Sequence, residues 1–296
     1  MADDKDVWMY NPSVALAILG AVVYGILFLA ISYQTFFRYR AWFFTVVVVG
    51  SGVEVAGYVL RAYSAKNQTV LTPFVLTLTF IVLAPVFIAA GNYLLISRLI
   101  RAVLPPSHHR VLGIPGKRLT PIFVVCDVVS FIIQGNGSAI ASSDNWQGQK
   151  EKIGRYILIG GLAFQLISFG LFLCVFRRFH VLANRMARPE APKGWRQVVL
   201  SVYVSSILIM VRCIYRVCEF AEGMNGYAFR TEWLFWVFET LPMIGAIGIF
   251  VIYPPSRFLG RNGAALPKEV GSGNSVQLSA GKKRWFHKKR SESSAV

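Results

Sequence analysis

Arg212, Tyr215, Arg216 and Glu219 stand at i, i+3, i+4 and i+7, a spacing that puts all four on one helix face. They follow a long apolar run, Val198 to Val211, so the helix that carries them is expected to span a membrane. An arginine at the centre of such a helix costs about 2.5–3.5 kcal/mol on insertion scales. A chain carries two where they face a bundle interior, a polar cavity or the interface. The chemistry open to this stripe is pairing with buried carboxylates or neutralisation of an anionic group such as a phosphate.

Other apolar runs carry matching groups. Glu54, Tyr58 and Arg61 lie at i, i+4 and i+7, and Asp127, Ser130 and Gln134 at i, i+3 and i+7, so each set shares one helix face. Gln165 and Glu239 stand in two further runs. The acids Glu54, Asp127, Glu219 and Glu239 nearly balance Arg61, Arg212 and Arg216. That balance points to mutual pairing, with Glu54 and Glu239 the first partners expected for Arg212 and Arg216. Intramembrane ionisable groups are functional candidates by default; ion pairs that only fix helix register are the alternative. Glu54, Asp127, Gln134 and Glu239 could host a cationic amine.

Several chemistries lack their residues. No lysine lies in an apolar run, so a Schiff-base chromophore has no anchor. His108, His109, His180 and His287 all fall in connections, which leaves an intramembrane metal without ligands. There is no nucleophile elbow and no phosphate-cradling glycine loop. Cys126, Cys174, Cys213 and Cys218 show no metal-type spacing and read as reduced packing residues. The expectation is a chain that is not an enzyme and needs no cofactor or metal.

The elements that must position these residues are transmembrane helices. The chain is 55% hydrophobic and 15% charged, with a mean hydropathy of +0.52; soluble domains are nearer 25% charged. The pattern predicts an all-α integral membrane protein, a bundle of seven transmembrane helices. The spans fall at about 13–32, 42–60, 71–96, 119–140, 156–176, 198–217 and 233–253, each near the twenty residues that cross a hydrocarbon layer. Residues 1–12 form a short extracellular N-terminus without the basic start of a cleaved signal, with Trp8 and Tyr10 suited to the interface. Residues 13–255 are the seven-helix domain, and 256–296 a disordered, basic cytosolic tail.

The net charge of +17 does not imply nucleic acid, because the basic residues sit between apolar runs and in the tail. Alternate connections and the tail hold 22 of the 31 lysines and arginines. This bias places the N-terminus outside and the C-terminus in the cytosol. It also puts the sequon Asn67-Gln68-Thr69 outside, a glycosylation candidate at Asn67. The tail run Lys282 to Arg290, with Trp285 and Phe286, could bind anionic inner-leaflet lipids or simply be solvated.

These motifs together resemble the fungal seven-span lipid-translocating exporter family, of the sphingoid-base translocation, aminocholesterol-resistance and porphyrin-uptake type. The matching residues are Glu54-x-x-Gly57-Tyr58-x-x-Arg61, Ala84-Pro85 with Ala89-Ala90 and Tyr93, Asp127-Val128-Val129-Ser130 with Gln134 and Gly137, Gly161-Leu162 with Gln165, Arg212-x-x-Tyr215-Arg216-x-x-Glu219 with Gly223, then Glu232 and Pro242-Met243. The resemblance covers about residues 10–258. Glu239 stands where the family pattern has Asp, Ser97 where it has Gly, and Tyr253 where it has His. The resemblance implies membrane lipids and an amphipathic lipid substrate, sphingoid-base-like or sterol-like, or lipid-stress resistance. It favours the plasma membrane, with vacuole or endoplasmic reticulum as alternatives. A seven-span lipid or sterol sensor without transport activity shares the same topology. Against a conventional G-protein-coupled receptor, Ser97-Arg98-Leu99 stands where Asp-Arg-Tyr would be, and the seventh span lacks Asn-Pro-x-x-Tyr.

Overall fold

The computed structural model describes residues 12–105, 110–111, 114–142, 148–186, 194–223 and 226–259. Residues 260–296 with the tail run 282–290, and the N-terminal Trp8 and Tyr10, lie outside the described residues.

Among the described residues, seven helices are long and apolar enough to cross a membrane. They are α1 (Val14–Arg38), α2 (Trp42–Lys66), α3 (Leu71–Val103), α4 (Gly116–Ser142), α5 (Gly148–Met186), α6 (Trp195–Glu222) and α7 (Glu232–Arg257). Helix is the form these runs must take, because hydrocarbon offers no partner for a bare N–H or C=O. Each helix packs on the next in sequence, α7 closes back onto α1, and α3 crosses the ring to touch α6. Leu19, Val22, Ile26 and Leu29 of α1 are exposed, while its buried residues are Ala17, Gly20, Tyr24, Ile31 and Thr35. The outer surface is thus largely apolar, while Glu54, Arg61, Asp127, Arg212, Arg216, Glu219 and Glu239 are buried, as a lipid solvent requires.

The helices overrun several expected boundaries. The polar and basic segments flanking the fifth span continue as helix, so that α5 runs 39 residues. Its last turns expose Arg177, Arg178 and Arg185, which favour water and the negative end of the helix. The sixth helix continues to Glu222 and stops at Gly223, whose φ of +79° suits a residue without a Cβ. Glu219 therefore lies within α6 rather than in a loop. Helix α7 breaks at Tyr253-Pro254, and a further turn, Pro255–Leu259, follows, with Pro at the position where its missing N–H costs nothing. Between α3 and α4 a two-residue antiparallel pair forms, Arg110–Val111 with Ile114–Pro115.

Two packing devices bring polar side chains together. On α4 and α5, Gly137 and Gly154 let the backbones meet: a Cβ on Gly137 would lie 2.6 Å from the Leu158 nitrogen. At that separation Ser130 reaches the Gly161 carbonyl at 2.6 Å. Gln134 donates to Gln165 at 2.9 Å and to Ser130 at 3.0 Å. The other device is proline. Pro242 lacks an N–H for the turn before it, and there α7 widens into a π-turn, Trp236–Thr240. Such turns swing side chains out of ordinary register; here Glu239 and Thr240 both become buried. The aromatic core fills the opposite side, where Tyr93 of α3 packs on Phe123 of α4 and on Phe169 and Phe172 of α5.

Candidate functional site

The arginine stripe faces inward: Arg212, Tyr215, Arg216 and Glu219 are all buried. Arg212 Nη2 donates to Glu239 Oε1 of α7 and, at 3.0 Å, to the carbonyl of Ile81 on α3. That carbonyl is available for a covalent reason. Its ordinary helical donor would be the N–H of residue 85, four positions on, and Pro85 has none. Arg212 thus ties α6 to α7 through charge and to α3 through a vacated backbone acceptor.

Glu54 of α2 approaches the same centre. It is 1% exposed and within electrostatic range of Arg212 and Glu239, yet it forms no ion pair with Arg212. Its Oε1 has no hydrogen-bond partner, and neither do Glu239 Oε2 and Arg212 Nε. Tyr24 of α1 and Tyr58 of α2 stack at 4.8 Å beside this carboxylate. Tyr24 donates to the Thr240 carbonyl at 2.9 Å, and the hydroxyls of Tyr58 and Thr240 share a hydrogen bond. Gly20 admits the Tyr58 ring, since a Cβ there would stand 2.6 Å from it. The centre therefore holds two carboxylates against one guanidinium, with acceptor and donor atoms still open, beside the tyrosines Tyr24 and Tyr58.

The other two buried arginines are compensated. Arg216 pairs with Glu219 at 2.8 Å, one turn away on its own helix, rather than with Glu54 or Glu239. Tyr215 donates to the same Glu219 at 3.3 Å. Arg61, 1% exposed, lies 3.5 Å from Glu232 of α7 and 4.0 Å from the centre of the Phe235 ring. Glu232 also accepts from the Ser13 backbone at 3.1 Å and from Trp236 Nε1 at 3.2 Å. This clasp joins the start of α1, the end of α2 and the start of α7. Asn67, the sequon residue, ends α2 and donates to the Tyr63 carbonyl at 3.2 Å.

Asp127 stands apart from all of these. Its Oδ2 accepts from the Tyr93 hydroxyl at 2.8 Å, and its Oδ1 has no partner. Gln134 and Gln165, expected as inward polar groups, bond each other across α4 and α5. The structure thus brings Glu54, Tyr58, Arg212 and Glu239 together, with the Arg216–Glu219 pair within electrostatic range of Glu239, and leaves Arg61, Asp127 and the Gln134–Gln165 pair as separate clusters. Reading the sequence missed Glu232 as a site residue, and with it Tyr24, Thr240 and the Ile81 carbonyl. Pro85 and Pro242 were the available signals for the last two. Among the described residues no group of three His, Cys, Asp or Glu could hold a metal ion.

A family model described as RTA1 like protein matches residues 47–262. The chain is 32% identical over 272 residues to the "Probable lipid transporter atnI" of Emericella nidulans, covering 86% of this chain and 68% of that protein. It is 32% identical over 205 residues to "Protoporphyrin uptake protein 1" of Saccharomyces cerevisiae, 69% of this chain and 65% of that one. With the "Sphingoid long-chain base transporter RSB1" of Saccharomyces cerevisiae it shares 25% identity over 287 residues, 85% and 74% of the two chains. No solved structure matches. The matched segment contains every buried ion pair described above and the open carboxylates Glu54 and Asp127, and the chain belongs to the RTA1-like protein family.

Proposed function

We propose that this protein moves amphipathic lipids across a bilayer and that the Glu54–Arg212–Glu239 centre receives a cationic head group. The observation that carries the proposal is the uncompensated carboxylate: Arg212 is engaged by Glu239, and Glu54 remains buried with an open oxygen. A buried charge without a partner is costly, so an ammonium entering here gains what the empty site lacks. The lipid tail needs no such provision, because the outer faces of the helices are apolar. A relative named as a sphingoid long-chain base transporter and another named as a probable lipid transporter support this class of cargo. Their names also support a role without chemistry on the cargo.

The same proposal includes an N-terminus outside, a cytosolic C-terminus and residence in the plasma membrane, supported by the distribution of lysine and arginine and, for the membrane, by the family resemblance. It includes the tail run 282–290 resting on anionic inner-leaflet lipids. The test is reconstitution in liposomes with a labelled sphingoid base. Wild type should exceed empty liposomes, and Glu54→Gln should fall toward the empty rate while remaining folded. If wild type, Glu54→Gln, Asp127→Asn and Arg216→Ala all move lipid at the empty-liposome rate, translocation is not what this chain does.

A further inference from the structure

Glu54 is not the only buried carboxylate left uncompensated. Asp127 lies near the middle of α4, is 1% exposed and forms no ion pair among the described residues. Its single hydrogen bond comes from a phenol, Tyr93, whose ring is enclosed by Phe123, Phe169 and Phe172. The titratable groups that face the Asp127–Tyr93 pair are Cys213 from α6 and Cys126 on α4 itself; α5 brings the two phenylalanines. Beyond Cys213 lie Arg212, Glu239 and Arg216, which bond elsewhere as described. Asp127 Oδ1 is thus a nine-tenths-buried polar atom with nothing to meet.

A bare carboxylate in this setting is costly by several kcal/mol. Its neutralising partner must be small, since aromatic rings crowd the hydroxyl that holds it, and must bind a single free oxygen. A lipid ammonium needs several acceptors and a path for its chain. A metal cation needs a shell of ligands, and among the described residues no group of three His, Cys, Asp or Glu is gathered here. A proton needs only Oδ1.

We infer that Asp127 is a proton-binding site, distinct from the head-group centre at Glu54, Arg212 and Glu239, and that its proton is coupled to lipid movement. The coupling rests on the translocation proposed above; the proton site does not. Cys213 follows Arg212 directly on α6 and lies within electrostatic range of Asp127. A shift of α6 that frees or seats a head group at Arg212 therefore alters the surroundings of Asp127 in the same motion.

Two measurements test this on the full-length protein. The first is infrared difference spectroscopy of wild type and Asp127→Asn near neutral pH. Wild type should show a protonated carboxylic acid carbonyl band that the variant lacks, any band from Glu54 being assigned separately with Glu54→Gln. Tyr93→Phe, which keeps the carboxyl but removes its hydrogen bond, should shift that band without abolishing it. The second measurement follows labelled N,N,N-trimethylsphingosine in proteoliposomes, because its ammonium cannot release a proton. A pH gradient should raise its flux in one orientation and lower it in the other, and Asp127→Asn should give the same flux with and without the gradient. A band retained in Asp127→Asn, or a wild type that ignores the pH gradient or answers a sodium gradient instead, overturns the inference. If wild type moves no probe at all, the translocation proposal fails, and the band alone decides the proton site.

Discussion

The two carboxylates around Arg212 should behave as substitutes for one another, and a double-mutant cycle measures this. Removing one partner of a buried ion pair costs about 3–5 kcal/mol when the remaining charge is stranded. Glu239→Gln does not strand Arg212 completely, because Glu54 stands within electrostatic range with an open oxygen and the Ile81 carbonyl still accepts. The single change should therefore cost about 1–2 kcal/mol, below the full penalty. Glu54→Gln alone removes an uncompensated charge while leaving the Arg212–Glu239 pair intact, and should fall within about 1 kcal/mol of wild type. With both replaced, the guanidinium has no carboxylate, and the whole penalty of about 3–5 kcal/mol should appear. The sum of the single effects then falls short of the double by about 2 kcal/mol, within the range seen for groups in direct contact. Equilibrium unfolding in mixed micelles, read by helical signal, gives all four corners of the cycle. Additive values, or a Glu239→Gln change that alone costs the full amount, would show that Glu54 does not attend to Arg212, and the proposed head-group centre would lose its second carboxylate.

Other perturbations read different parts of the fold. Glu232→Ala removes the common acceptor of Arg61, Ser13 and Trp236; a loss of about 1–3 kcal/mol is expected, with proteolysis at the start of α1 becoming faster. Gly137→Leu should separate α4 from α5 and sharply lower the melting temperature in detergent. Gly135→Leu and Gly160→Leu should not, because a Cβ at either position meets nothing within 4 Å; equal losses at all three would refute the close-contact account. Expression in cells of the secretory route should yield a species whose mobility changes on endoglycosidase treatment and does not change in Asn67→Gln; protease protection of the 67–70 segment from outside would contradict the proposed orientation.

The seven helices and the inward stripe were legible because both are periodic. Apolar runs near twenty residues and charges spaced three or four apart announce a helix and its face. Scarcity of carboxylates in the apolar runs points to Glu54 and Glu239 as partners of Arg212 and Arg216, and of these pairs Arg212–Glu239 forms. The partner of Arg216 was harder to name. Glu219 sits three residues on, and a local pair on one helix competes with any distant carboxylate at lower entropic cost. Glu232 stands among the residues that carry the family resemblance, yet acids near a helix end are ordinary, and nothing in its letter says that three donors converge on it. The Ile81 carbonyl has no letter at all. It becomes visible only by asking, for each proline within a helix, which acceptor four residues earlier has lost its donor. Tyr24 was passed over as one aromatic in an apolar run, yet it is fully buried with its hydroxyl bonded to α7.

The proline on α3 and the guanidinium on α6 also set a rule for recombining this fold. Pro85 and Arg212 lie on different segments of the chain but act as one inherited unit. A chimaera that takes α3 from a donor without the proline delivers a guanidinium to a carbonyl that already has its partner. One that takes α6 from a donor without the arginine leaves that carbonyl bare in hydrocarbon. Crossover points for such grafts should therefore fall outside residues 85–212, so that both ends of the contact travel together.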